Sequence, residues 1–192
     1  MSCSHKLAPI ALLVACVAAS AQSPDYKNIG RTPTPQEVQA WDDAIGVSGK
    51  ELPAGAGTAK EGGELFAAKC AACHGAQLQG SPLAPRLVGG EGTLTTAKPV
   101  LTVGSYWPFA TTVFDYVRRA MPRNDEGSLS PDQVYAVVAF VLFKNGVIKE
   151  TDVVDAKSLP KIVMPNRYGF VPPDLKDIHD PKKRGCRLGH CP

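Results

Sequence analysis

The run Cys70-Ala71-Ala72-Cys73-His74-Gly75 constrains this chain more than any other feature, because it sets two thiols three residues apart with an imidazole immediately after them. That spacing puts both sulfurs on one face of a helical turn, where they can add across the vinyl groups of a porphyrin. The next side chain then reaches the iron, so the run reads as the attachment site of one covalently bound haem c, with His74 as an axial ligand. A redox dithiol of the thioredoxin kind has the same two-residue gap, but it sits in a βαβ setting and does not call for the histidine. A four-cysteine zinc site completed by Cys186 and Cys191 leaves the histidine unexplained as well.

With 17 prolines, 18 glycines and 7% aromatic residues in 192, the chain predicts a small core surrounded by irregular structure. A buried prosthetic group can supply apolar area that such a core lacks. The net charge of +3 is too balanced for a nucleic-acid partner, and no basic run with interleaved aromatics is present. Residues 1–21 have the form of an export signal: Lys6 precedes an apolar run from Leu7 to Ala19, and Ala19-Ser20-Ala21 offers a small-x-small cleavage site. The run falls short of the ~20 residues a spanning helix needs. The expected location is therefore the bacterial periplasm, with membrane attachment only if Cys16, in the lipoprotein-like Leu13-Val14-Ala15-Cys16, is lipidated. Cys186 and Cys191 then remain as an even pair that an oxidising compartment would join in a disulfide.

Four segments follow: the signal at 1–21, an N-terminal arm at 22–57, a central domain at 58–146 and a C-terminal arm at 147–192. In the first arm, Thr34-Pro35-Gln36-Glu37 is a capping box with proline at the first helical position. It predicts a short helix running to Gly46, with Val38, Trp41 and Ile45 on one stripe that docks by Trp41. Thr58-Ala59-Lys60-Glu61 opens a second helix carrying Leu65 and Phe66 into the haem motif. Its Gly62-Gly63 pair disfavours helix and implies a close crossing. From Gly75 to Gly92 the chain reads as loop, and Pro108 to Arg119 as a helix ended by Met121-Pro122. Ser130-Pro131-Asp132-Gln133 opens a last, almost wholly apolar helix that stops at Asn145-Gly146. Beyond it, Pro160, Pro165, Pro172, Pro173 and Pro181 predict a mostly irregular arm.

What ligates the other face of the iron decides the chemistry. The candidates are Met121 and Met164, the thioethers left once Met1 is set aside, and the other histidines, His5 in the signal, His179 and His190; Met121 has the better position, in the loop before the closing helix. A thioether stabilises ferrous iron and fills the place where oxygen or peroxide would bind. The alternative role for either methionine is a flexible core filler. No nucleophile elbow, phosphate-binding glycine loop or metalloprotease helix is present elsewhere.

Taken together, Phe66, the CAACHG run, Pro85 before Leu87, a methionine before the last helix and Phe140 within it resemble class I cytochrome c. The resemblance implies an all-α fold with irregular terminal arms, in which the first and last helices cross near Gly62, Phe66 and Phe140. It implies further that the Pro85 carbonyl accepts a hydrogen bond from the His74 ring, and that Tyr106 or Trp107 contacts a haem propionate. From about Tyr26 to Phe170, stretches such as KPVLTVGSYWPFATTVFDYVRRAMP and SLPKIVMPNRYGF are similar to the SoxD group. These are the cytochrome c subunits of SoxC-type molybdenum sulfane or sulfite dehydrogenases. Some members of that group carry two haem domains; here there is a single C-x-x-C-H. The resemblance implies a molybdenum dehydrogenase subunit as electron donor and a downstream c-type cytochrome or oxidase as acceptor. A haem enzyme of peroxidase type, or a haem sensor, stands as the alternative, and either would need a distal ligand that leaves.

Overall fold

The computed structural model describes residues 29–171. The export signal, Cys16 and the Cys186 and Cys191 pair lie outside the described residues, as do His179 and His190.

Helix α1 spans Pro35–Trp41. Its capping box is formed in both directions: Glu37 N–H donates to Thr34 Oγ1 at 3.2 Å, and Thr34 N–H donates to the Glu37 carboxylate at 2.8 Å. The helix ends at Trp41, capped by Asp42, and does not continue to Gly46. Nor does Trp41 dock, since its side chain is 88% exposed. Of the expected stripe only Ile45 is buried. The cause is a competing acceptor: in a continued helix Ile45 N–H would bond the Trp41 carbonyl, whereas here it donates to Asp115 Oδ1 at 3.2 Å.

Strand β1, Ala56–Thr58, leads directly into α2, Ala59–Lys69, whose N-cap Thr58 forms a second reciprocal box with Glu61. Helix α5, Pro131–Lys144, begins with a third box between Ser130 and Gln133 and is buried on several faces, from Val134 to Leu142. The two helices cross at Gly62. A Cβ there would lie 1.8 Å from the Ala136 carbonyl oxygen, so only glycine lets the backbones approach this closely. One turn on, the rings of Phe66 and Phe140 pack at 5.3 Å between centroids.

Helix α4, Ala110–Ala120, starts two residues later than the sequence predicts, because Phe109 is extended and bridged to Val163. It ends at Met121, which takes the extended conformation that a following proline favours. Val113 and Phe114 face inward, and the Phe114 ring lies 4.4 Å from that of Tyr135 on α5. The Tyr135 hydroxyl donates to the Pro53 carbonyl at 2.8 Å, and burial pushes its pKa up to about 12.

The C-terminal arm is more ordered than its prolines suggest. Strand β2, Val153–Asp155, pairs antiparallel with β1, setting Ala56 opposite Asp155 and Thr58 opposite Val153. A 3-10 turn at Leu159–Lys161 follows. Val154, Leu159 and Met164 are each 1% exposed or less and join the same core as Phe66, Phe114 and Leu142. A three-residue pairing has no long alternating pattern to announce it, and it forms because the buried face of β1 rests on α5. Apart from this clasp the described residues are helices and loops, and none of those helices is long and apolar enough to cross a membrane.

Candidate haem site

Helix α2 breaks at Cys70, whose φ of −119° departs from helical values. A one-turn helix, α3, then spans Ala71–His74, with Cys73 and His74 N–H both donating to the Cys70 carbonyl, at 3.1 and 3.0 Å. The two cysteines are free thiols, Cys70 half-buried and Cys73 exposed. Burial, with the neighbouring Cys73 thiol, pushes Cys70 up to about 11.

The loop after α3 folds back onto it. Gly80 N–H donates to the His74 carbonyl at 2.8 Å, the Ser81 hydroxyl donates to the Cys73 carbonyl, and Leu87 N–H donates to the Leu78 carbonyl. Gly80 has φ of +82°, and a Cβ there would stand 2.6 Å from Arg86 N, so the return path needs glycine. This turn brings the Pro85 carbonyl 2.9 Å from His74 Nδ1. A carbonyl can only accept, so Nδ1 carries the proton and Nε2 presents its lone pair. Two free thiols and an imidazole fixed in that tautomer, all within five residues, are the donor set covalent haem requires.

Further along, Asn145 on the end of α5 donates to the Leu87 carbonyl at 3.1 Å and the Val141 carbonyl at 2.8 Å. Thr102 donates to the Gly89 carbonyl and Ser105 to that of Val100. Thr102 and Ser105, both buried, and the partly buried Asn145 pin a loop that has no secondary structure of its own. Trp107 is partly buried, edge-to-face with Tyr116 at 5.7 Å, and Tyr106 is more exposed, packed against Phe170 at 5.1 Å. The two thioethers differ: Met121 is partly exposed at the C-cap of α4, whereas Met164 is 1% exposed and enclosed by protein.

Several of these residues have no local sequence signal. Ser81, Thr102, Ser105 and Asn145 look like ordinary loop and cap residues until the loop closes on them. Asp115 reads as a surface residue of α4, yet it is buried and contacts Ile45, Arg118 and Arg119.

A crossed helix pair, a C-x-x-C-H run on the turn that follows the first of them, and an imidazole oriented by a backbone carbonyl define a c-type cytochrome. The comparisons agree, and the chain belongs to the cytochrome c family, whose model matches residues 59–143. The crystal structure of the sulfane dehydrogenase SoxCD from Paracoccus pantotrophus contains a chain 40% identical to this one. That match covers 86% of this chain and 82% of that one, with a TM-score of 0.71. A thiosulfate dehydrogenase (TsdBA) from Marichromatium purpuratum is 24% identical over 44% of this chain and 17% of its own, with a TM-score of 0.35, too slight a likeness to bear on function. No protein of curated function matches the sequence. Membership brings with it the cofactor, covalently bound haem c, and the all-α class I fold.

Proposed function

We propose that this chain is an exported monohaem electron-transfer subunit that accepts single electrons from a molybdenum sulfane or sulfite dehydrogenase and passes them to a downstream c-type cytochrome or oxidase. When bound, haem c supplies a one-electron ferric–ferrous couple. Cys70 and Cys73 hold it as thioethers, and His74 offers Nε2 to the iron. The Pro85 carbonyl, accepting from Nδ1 at 2.9 Å, fixes the ring and makes it a stronger donor. Met121 would supply the second ligand, since Met164 is already committed to the core. Trp107 and Tyr106 are the side chains that steady the propionates.

With both His74 and Met121 committed to the iron, the group would offer small oxidants no open position, and a two-electron sulfur oxidation would have no place to occur on this chain. That chemistry therefore belongs to a partner. The observation that carries the assignment is the 40% identity, across 86% of the chain, to a chain of a sulfane dehydrogenase complex. Purification of the haem-loaded protein from its native host should bring down a molybdenum dehydrogenase, and that partner's sulfur substrate should reduce this haem only when both proteins are present. Reduction by substrate with the cytochrome alone, or co-purification with a terminal oxidase and no molybdenum, overturns the partner.

A further inference from the structure

Three residues before Met121, at Arg118, the last turn of α4 is tied to the N-terminal arm by a cluster of charges that nothing in electron transfer itself requires. Asp115 is 8% exposed, and its Oδ1 accepts from Ile45 N–H at 3.2 Å and lies 3.5 Å from Arg118. Its Oδ2 pairs with Arg119. Arg118 in turn donates to the Asp43 carbonyl and to its carboxylate, the latter at 3.2 Å. Asp115, Arg118 and Arg119 stand at i, i+3 and i+4 and so share one face of the helix. The arm is thus fastened to the turn that ends in Met121, whose own N–H donates back to Val117 at 3.1 Å.

The opposite end of α4 is held by backbone pairing and not by charges, through the bridge from Phe109 to Val163. Its N-cap is Phe109, which makes no side-chain cap. The terminal turn of a helix is the part that frays, and its free carbonyls are satisfied only from outside. Arg118 and Arg119 also place two cations at the negative end of the helix dipole. A neutral thioether binds iron weakly enough that the chain carrying it, and not its own affinity, keeps it in place.

We propose that Asp115 is a positioning residue for the distal ligand: through Arg118, Arg119 and the Asp43–Ile45 segment it holds the last turn of α4, and with it the Met121 sulfur, against the iron. The inference rests on Met121 being that ligand. It makes the N-terminal arm part of the device that sets the iron's coordination, so that strain on the arm is felt at the haem.

The test compares haem-loaded full-length protein with Asp115→Asn, Asp115→Glu, Arg119→Gln and Met121→Ala variants. The readouts are the near-infrared sulfur-to-iron band of the ferric form and the fraction of ferrous haem that binds carbon monoxide. Met121→Ala should abolish the band and make all the haem reactive. Asp115→Asn should weaken the band and raise the reactive fraction several-fold at a temperature where the fold is intact, Arg119→Gln should do so less, and Asp115→Glu should recover part of the loss. A purely structural latch would lower the unfolding midpoint and leave both readouts as in the unaltered protein, which overturns the proposal. If Asp115→Asn yields no folded protein, Arg119→Gln decides by the same criterion. An unchanged band in Met121→Ala removes the ligand assignment and the positioning role together, whereas an altered Met121→Ala beside silent Asp115 and Arg119 variants removes the positioning role alone.

Discussion

Gly62 shows how one residue can set the distance between two helices. Alanine is the better helix former by about 1 kcal/mol, so on propensity alone a substitution there would stabilise α2. A methyl group 1.8 Å from the Ala136 carbonyl oxygen reverses the sign. The helices must separate, and overpacking of this kind costs roughly 3 kcal/mol. Gly63 is the internal control, because its added Cβ would meet the edge of the Phe140 ring at 3.2 Å, and a ring can tilt. Denaturant unfolding should therefore find Gly62→Ala strongly destabilised and Gly63→Ala within about 1 kcal/mol of the starting protein. Equal effects at both positions would mean that the crossing is not this tight. Met121 and Met164 make the same point about identity and environment: both precede a proline, yet one is left partly exposed and the other is enclosed by protein.

Among the elements, α1 owes its existence to its ends, since almost nothing buries its apolar face. The Arg31 guanidinium beside Glu37, and then the Thr34 N–H, hold that carboxyl at about 2, below its ordinary 4.5. A depressed carboxylate contributes stability that is present above the ordinary value and is lost as pH falls through the folded one. The α1 cap should thus be intact at neutral pH and down to about 4.5, and loosen as pH approaches 2. The Thr34 amide proton, followed by NMR, should titrate with a midpoint well below 4.5, and Arg31→Gln should move that midpoint upward. A midpoint at the ordinary value in the unaltered chain would show that the ion pair does not form in solution. Glu37 lies at the surface on a seven-residue helix, so the effect belongs to the helix end and not to global stability.

For the molecule as a whole, the arms are the parts that exceed a minimal haem domain, and they are used differently. The C-terminal arm closes the core through β2, Leu159 and Met164. The N-terminal arm is latched at Ile45 and leaves Val38 and Trp41 uncovered. Trp41→Ala should accordingly leave the unfolding midpoint of the isolated protein unchanged, because an 88% exposed ring contributes little to the fold. In the proposed complex the same change should weaken co-purification with the dehydrogenase. A drop in the isolated protein's midpoint would mean that Trp41 packs on its own domain after all.

What the sequence by itself determined is local. The three capping boxes at Thr34, Thr58 and Ser130 each act within four residues, and each begins a helix where it stands. The C-x-x-C-H chemistry is written in five consecutive residues for the same reason, and the Gly62-Gly63 pair announced a close crossing because helix propensity alone argues against it. What only the tertiary structure decided are the pairings between distant segments: β1 with β2, Asp115 with Ile45, Asn145 with the loop at Leu87, and Trp41 left in solvent. Each depends on which surface arrives opposite a given side chain once the helices have packed. Asp115 meets the Ile45 N–H from 70 residues away, a contact that no local pattern around either residue announces.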